Sequence, residues 1–429
     1  MIIRQIRWLV IKAVSEFPPV VSVEPLLPSP TMPNHVFPAL VCNRLMSHTS
    51  VTRSCHVNLK AARDAVKLVA FGIRLDRLRT NFDNFQHRPQ DGERTAGSIF
   101  GHEDNLRALG LPSRAEFEVM AASIVHLDAQ GVGKRVVLRT ANTFLSNLAK
   151  AKKLLLFLHY LLSPGGRASE LATQQILPYS NHESSIRISK GRLAIRTEIN
   201  KTGKKYITRF VSPDLVPLFL VVFGSAQYLG GVVLDLLHHQ DATLLANGHD
   251  HRVTYHRYMW TTSHGEVLTG QQVRDVITSC FSLEGHHDRV GAKAFRHFEL
   301  WLAKEFLIPV LAGKESTLLL PQMEKNAANH GHSTRTEVVR YGNTKDSAEQ
   351  WQMALSGSAS EDPTSVSSWQ ILLGMSPVRL FASGFGQDRT SLTHPLCTAL
   401  IPSDVGEQGA KALHLQPVRV DAHSAPDLV

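Results

Sequence analysis

Apolar residues recur at helical spacing from about Leu59 onward. Ala61, Ala65, Leu68, Val69 and Ile73 form one stripe, with Lys60, Arg63, Lys67 and Arg74 beside it. That period predicts an amphipathic helix. A polar break covers Gln86 to Arg94. Two more helical blocks follow, from about Arg114 to Leu127 and from about Arg139 to Leu162. Ser113, with Glu116 three residues on, has the spacing of a capping box. Between Ile186 and Phe210 the period changes. Leu193 to Ile199 alternates as a half-buried strand does, and Tyr206 to Val211 is rich in strand formers. Ser189 to Arg192 and Asn200 to Gly203 supply turn residues between them. This predicts a small three-stranded meander. Helical pattern returns from Gly270 to Phe281 and from Ala292 to Leu307. The expected fold class is mainly α with a small antiparallel β-meander (α+β).

The two ends lack such periodicity. Residues 1–58 are dotted with prolines and predict a loose leader, and Met1 to Lys12 is a poor signal peptide. Residues 351–429 form a Ser/Gly/Pro-rich tail expected to be largely disordered. Leu215 to Leu234 carries no charge and is near membrane-spanning length. Pro217, Gln227, Gly224, Gly230 and Gly231 interrupt it, which predicts a buried helix followed by a turn and no membrane. His239 to His264 reads as a histidine-rich loop. Its spacing matches no metal motif, so no metal is expected.

Charge changes the picture. The chain carries +9 with a pI near 9.4, which points to a polyanionic partner, nucleic acid first and acidic membrane second. The meander holds Arg187, Lys190, Arg192, Arg196, Lys201, Lys204, Lys205 and Arg209 against Glu198 alone. Such a ribbon could face DNA, or be a solvated basic hairpin. The four cysteines are scattered with no CxxC pair, as in a reducing compartment. Gly131-Val132-Gly133-Lys134-Arg135 lacks the first glycine and the Ser/Thr of a P-loop.

Cleaving a phosphodiester with a side chain needs a hydroxyl nucleophile, fixed cations around the nonbridging oxygens, and an acid for the leaving 5′-oxygen. Arginine suits the second role through its planar, permanently charged fork. Candidates stand in order: Arg167 in Gly166-Arg167-Ala168-Ser169-Glu170-Leu171, a lysine of the Asn200 to Lys205 turn, Lys293 and Arg296-His297, Gly331-His332, and Tyr341. Together these resemble the boxes of the tyrosine recombinase (phage-integrase-like) family. Lys293 stands where the family commonly has histidine. The resemblance is closest to the Crypton-type recombinase-like proteins of fungal mobile elements, through Gly166-Arg167, Lys201, Arg209-Phe210, Leu215 to Phe223, Phe295-Arg296-His297, Gly331-His332-Ser333, Thr336-Glu337 and Tyr341-Gly342. It covers about residues 150 to 345.

The resemblance implies a catalytic domain over residues 151–350, with residues 59–150 a DNA-clamping helical domain. It assigns Tyr341 as nucleophile and places Arg167, Arg296 and His332 on the scissile phosphate, with Lys293 in support. Lys201 is the chosen general acid, with Lys204 and Lys205 in reserve. Arg192, Arg196, Lys204, Lys205 and Arg209 are expected on the DNA. It further implies duplex DNA as partner, a tetramer on DNA, the nucleus as location, and no cofactor. The alternative is a catalytically inactive, mobile-element-derived protein that only binds DNA.

Overall fold

The computed structural model describes residues 23–25, 39–41, 44–46, 48–83, 85, 98–127, 134–163, 167–176, 184–189, 191–199, 205–240, 248–282, 290–302 and 373. The chain divides into two units, Met1–Phe385 and Gly386–Val429, and every described residue lies in the first. That unit is mainly helical with small antiparallel sheets.

Its centre is α4 (Leu138–Leu162), whose residues from Leu154 to Leu162 are all buried. A helix that is apolar all round can be stable only when covered on every side. Burying a side chain such as Phe157 contributes about 2 kcal/mol. Along α4 runs α1 (His48–Lys67), which presents Val51, Cys55, Leu59, Ala62, Ala65 and Val66. The small Ala62 and Ala65 let the two helices approach closely. The observed apolar face differs from the expected stripe. Leu68 is 60% exposed, and the helix ends at Lys67 before a turn in which Phe71 (φ 46°) and Gly72 (φ 89°) are left-handed. The start also differs: α1 begins at His48, inside the expected leader. Upstream of it, β1 (Val23–Pro25), β2 (Ala39–Val41) and β3 (Arg44–Met46) form an antiparallel meander.

Two short helices, α2 (Glu103–Ala108) and α3 (Arg114–Met120), follow. The capping box at the start of α3 is present: Ser113 Oγ accepts from Glu116 N at 3.2 Å, and Ser113 N donates to the Glu116 carboxylate at 2.7 Å. The helix stops at Met120 instead of reaching Leu127. Val125–Leu127 (β4) pairs with Lys134–Val136 (β5) as an antiparallel ribbon. The β-branched Ile124-Val125 pair favours that extended state.

The expected central meander is present. Strands β6 (Ile186–Ser189), β7 (Arg192–Ile199) and β8 (Lys205–Phe210) form an antiparallel sheet in that order. Gly191 makes the first turn at φ 69°, a conformation glycine adopts without strain. Alternation fails at one place: Leu193, Ala194 and Ile195 are all buried. The start of β7 is therefore covered on both faces.

The uncharged stretch forms α6 (Val216–Phe219), a wide π-helical segment (Leu220–Ala226) and α7 (Gln227–Gln240), without the expected turn. Val216–His239 is long and apolar enough to cross a membrane, and most of its apolar stretch is buried inside the protein. Its glycines serve packing. A Cβ on Gly230 would come within 2.7 Å of the Tyr255 ring, which is fully buried on α8 (Gly248–Arg257). That helix occupies part of the expected histidine-rich loop. Nearby, buried Lys152 donates to Thr261 Oγ1 at 2.8 Å and sits 3.9 Å from the Tyr255 ring centroid. Burial holds its amine well below the ordinary lysine range.

The last described helices, α9 (Gly270–Ser282) and α10 (Ala292–Leu302), pack against each other. Asn58 Nδ2 ties α1 to α9 by donating to Cys280 O at 3.3 Å. The expected extension of α10 to Leu307 lies outside the described residues.

Candidate functional site

Three elements bring charged side chains together at one end of α4. Helix α5 (Ala168–Ala172) starts just after Arg167. Glu170 accepts from the Arg167 backbone N–H at 3.0 Å and from its guanidinium Nη1 at 3.1 Å. This holds the arginine stem at the helix entrance. The Glu170 side chain is 10% exposed and that of Arg167 is 30% exposed.

Strand β8 contributes Arg209, which is 2% exposed. The end of that strand is anchored to α4, because Ser163 Oγ donates to Phe210 O at 3.1 Å. Helix α10 contributes Arg296 and Glu299, one turn apart. Both are buried, at 8% and 1% exposure, as are Phe295 and Phe298 of the same helix. Its first residue is pinned to α4 by Tyr160 Oη, which donates to Ala292 O at 2.8 Å.

The electrostatics join these groups. Burial lowers the Arg209 pKa to about 10; Glu170 and Glu299 oppose that shift, and Arg296 adds to it. Arg209 therefore keeps its charge at neutral pH. Burial pushes the Tyr160 phenol up, aided by Glu299 and opposed by Arg296. Three guanidiniums, Arg167, Arg209 and Arg296, thus share a neighbourhood with two carboxylates, Glu170 and Glu299. The surplus is one positive charge, which matches the single negative charge of a phosphodiester. Partial burial strengthens such an interaction, since little water screens it.

His159 lies beneath this cluster, with Nδ1 3.2 Å from Ser163 Oγ. Burial, then the Arg209 guanidinium, push its imidazole from 6.5 down to about 3. A histidine whose folded pKa lies below its unfolded value stabilises fully above the unfolded value. That contribution is lost as pH falls from about 6.5 through about 3. Urea midpoints should therefore fall faster in the wild-type than in His159→Gln over that window. The expected loss is on the order of 4 kcal/mol at its acid end. Parallel pH profiles for the two proteins would remove His159 as the cause.

The residues expected from the sequence fall into three groups. Arg167 and Arg296 come into one cluster, far apart in the chain as they are. Lys293 is exposed on α10, one turn before Arg296. Lys201, Lys204, His332 and Tyr341, and the side chain of Lys205, lie outside the described residues. The basic ribbon divides. Arg196 is half-buried, whereas Arg192 and Arg209 are buried and depart from the expectation of solvent-facing cations. Arg192 lies 5.7 Å from the Phe210 ring centroid, so its guanidinium packs on the sheet.

Glu299, Tyr160 and His159 were not anticipated from the sequence. A signal for Glu299 exists. Arg296-His297-Phe298-Glu299 repeats the Arg-x-x-Glu spacing of Arg167-Ala168-Ser169-Glu170. Among the described residues, no group of three His, Cys, Asp or Glu side chains could hold a metal ion. Comparison with protein-family models, characterised proteins and solved structures finds no match to this chain.

Proposed function

We propose that this chain is a tyrosine recombinase-like DNA strand-exchange protein, acting on duplex DNA in the nucleus as a tetramer. The observation that carries the reading is the cluster of Arg167, Arg209 and Arg296 around Glu170 and Glu299, with one positive charge in surplus. Arginine forks donate paired hydrogen bonds to phosphate oxygens, and Glu170 holds the Arg167 fork in place before substrate arrives. The Tyr341 oxygen attacks phosphorus, its phenolic proton passing to solvent, and the 5′-oxygen leaves, taking a proton from Lys201. The 3′-phosphotyrosine keeps the energy of the broken phosphodiester. A free 5′-hydroxyl then attacks it, releases the tyrosine and rejoins the strand. His332 and Lys293 add donors to the same phosphate. No step needs a nucleotide or a metal.

The test is a nicked duplex substrate, from which the short fragment beyond the cleavage point diffuses away and traps the covalent species. A protein–DNA band on a denaturing gel is expected. Its tryptic digest should carry the nucleotide on the peptide containing Tyr341. A pooled set of random sites ensures that a cleavable sequence is present. No adduct on that pool, from protein that binds it, would leave the alternative of an inactive DNA-binding protein.

A further inference from the structure

The exposed side of α1 carries Arg53, His56, Lys60, Arg63 and Lys67, at alternating steps of three and four residues. That spacing keeps all five on one helix face. Asp64 is the one acidic residue of α1. Leu59, Ala62, Val66 and the other buried positions lie on the opposite face, against α4 and α9. The row spans about 21 Å at the helix rise, equal to the axial rise of about six phosphates on one strand of a duplex.

One link ties this face to the arginine cluster. Arg63 Nη2 lies 3.7 Å from Asp214 Oδ1, and Asp214 stands in the turn that leaves β8 just after Arg209 and Phe210. The ion pairs here are Arg63–Asp214 and Lys67–Asp64, with the two basic side chains 49% and 68% exposed. Exposed pairs of this kind are worth little and exchange readily for phosphate.

We infer that this face of α1 tracks the backbone of duplex DNA beyond the scissile phosphate, as a second surface separate from the arginine cluster. The inference rests on duplex DNA being the partner. Its contacts are to phosphates, so it supplies affinity and orientation without reading sequence. An anionic membrane offers charge too, but the exposed face holds few apolar residues to bury in one: Val57 at 41% and Leu68 beyond the helix end.

The test compares three full-length proteins on a fluorescein-labelled duplex of mixed sequence, by anisotropy across a salt series. The variant Arg53→Ala/Lys60→Ala should lose about two units of the slope of log affinity against log salt. It should bind about ten-fold more weakly or worse near 0.1 M salt. Arg107→Ala/Arg135→Ala, on α2 and β5, removes the same charge elsewhere and should keep the wild-type slope. Arg53→Gln/Lys60→Gln, which retains helix propensity, replaces the alanine pair if that pair melts lower. An unchanged slope in the α1 variant overturns the inference and leaves the recombinase reading intact. Equal losses in both variants also overturn it, because net charge alone would then explain binding. Wild-type protein that ignores duplex yet binds phosphatidylserine vesicles overturns the inference and the choice of partner together.

Discussion

Tyr341→Phe is expected to leave no covalent protein–DNA species on the nicked duplex, with affinity for that duplex within about two-fold of wild-type. Only one hydroxyl is lost, and it is the atom that forms the ester. Binding depends on many phosphate contacts, so one hydroxyl hardly changes it. The arginines should behave differently. Arg296→Ala should slow adduct formation by about 10²–10³, the usual effect of removing one donor to transition-state charge. Arg296→Lys should rescue little of this, since an ammonium is a point charge without the paired donors of guanidinium. Arg296 is only 8% exposed and flanked by Phe295 and Phe298, so a lysine there also has to desolvate a compact charge. Rates of adduct formation at saturating protein check all three variants. An adduct in Tyr341→Phe would move the nucleophile elsewhere. Wild-type rates in Arg296→Lys would mean that its fork is not used.

Glu299→Ala is expected to destabilise the fold by about 3–5 kcal/mol, the typical effect of removing one partner from a buried ionic cluster. Glu299 is 1% exposed and acts electrostatically on Arg209 and Tyr160. Without it, the buried Arg209 loses one of the two carboxylates, Glu170 and Glu299, that favour its charge. The loss should show in the urea midpoint with an unchanged m-value, since the surface exposed on unfolding stays the same. Arg209→Met/Glu299→Met should lose clearly less than the sum of the single changes, because both charges leave together. A midpoint for Glu299→Ala equal to wild-type would show that the cluster does not hold α10 to β8.

Some parts of this architecture were readable from local pattern. The capping box at Ser113 and Glu116, the long buried helix ending at Leu162 and the meander from Ile186 to Phe210 depend on neighbours in sequence. Near-range spacing and turn chemistry suffice for those. Other parts were not. Helix α3 ends at Met120 because Val125–Leu127 finds a strand partner in Lys134–Val136. The glycines at 230 and 231 look like a turn in sequence. In the fold they are a groove for α8, whose Tyr255 leaves no room for a Cβ at Gly230. The leader expected to be loose holds β1 to β3 and the first turns of α1.

The candidate site divides the same way. Arg167 and Arg296 stand out in sequence because a phosphate-handling site needs arginines, and Glu170 because it lies one helical turn from Arg167. Arg209 reads there as one more cation of a basic ribbon, and Glu299 as an ordinary helix residue. Which cations face outward and which are buried depends on elements distant in sequence: the end of α4 beneath β8, and α10 against α4 and α9. By itself, the sequence determined the helices, the meander and the types of residue available for phosphate chemistry, because periodicity and side-chain chemistry are local. Only the tertiary structure decided that three arginines and two glutamates share one partly dry neighbourhood with a single surplus charge. Burial is a property of the packed chain, and it changes a charge from a solvated group into a partner that must be matched.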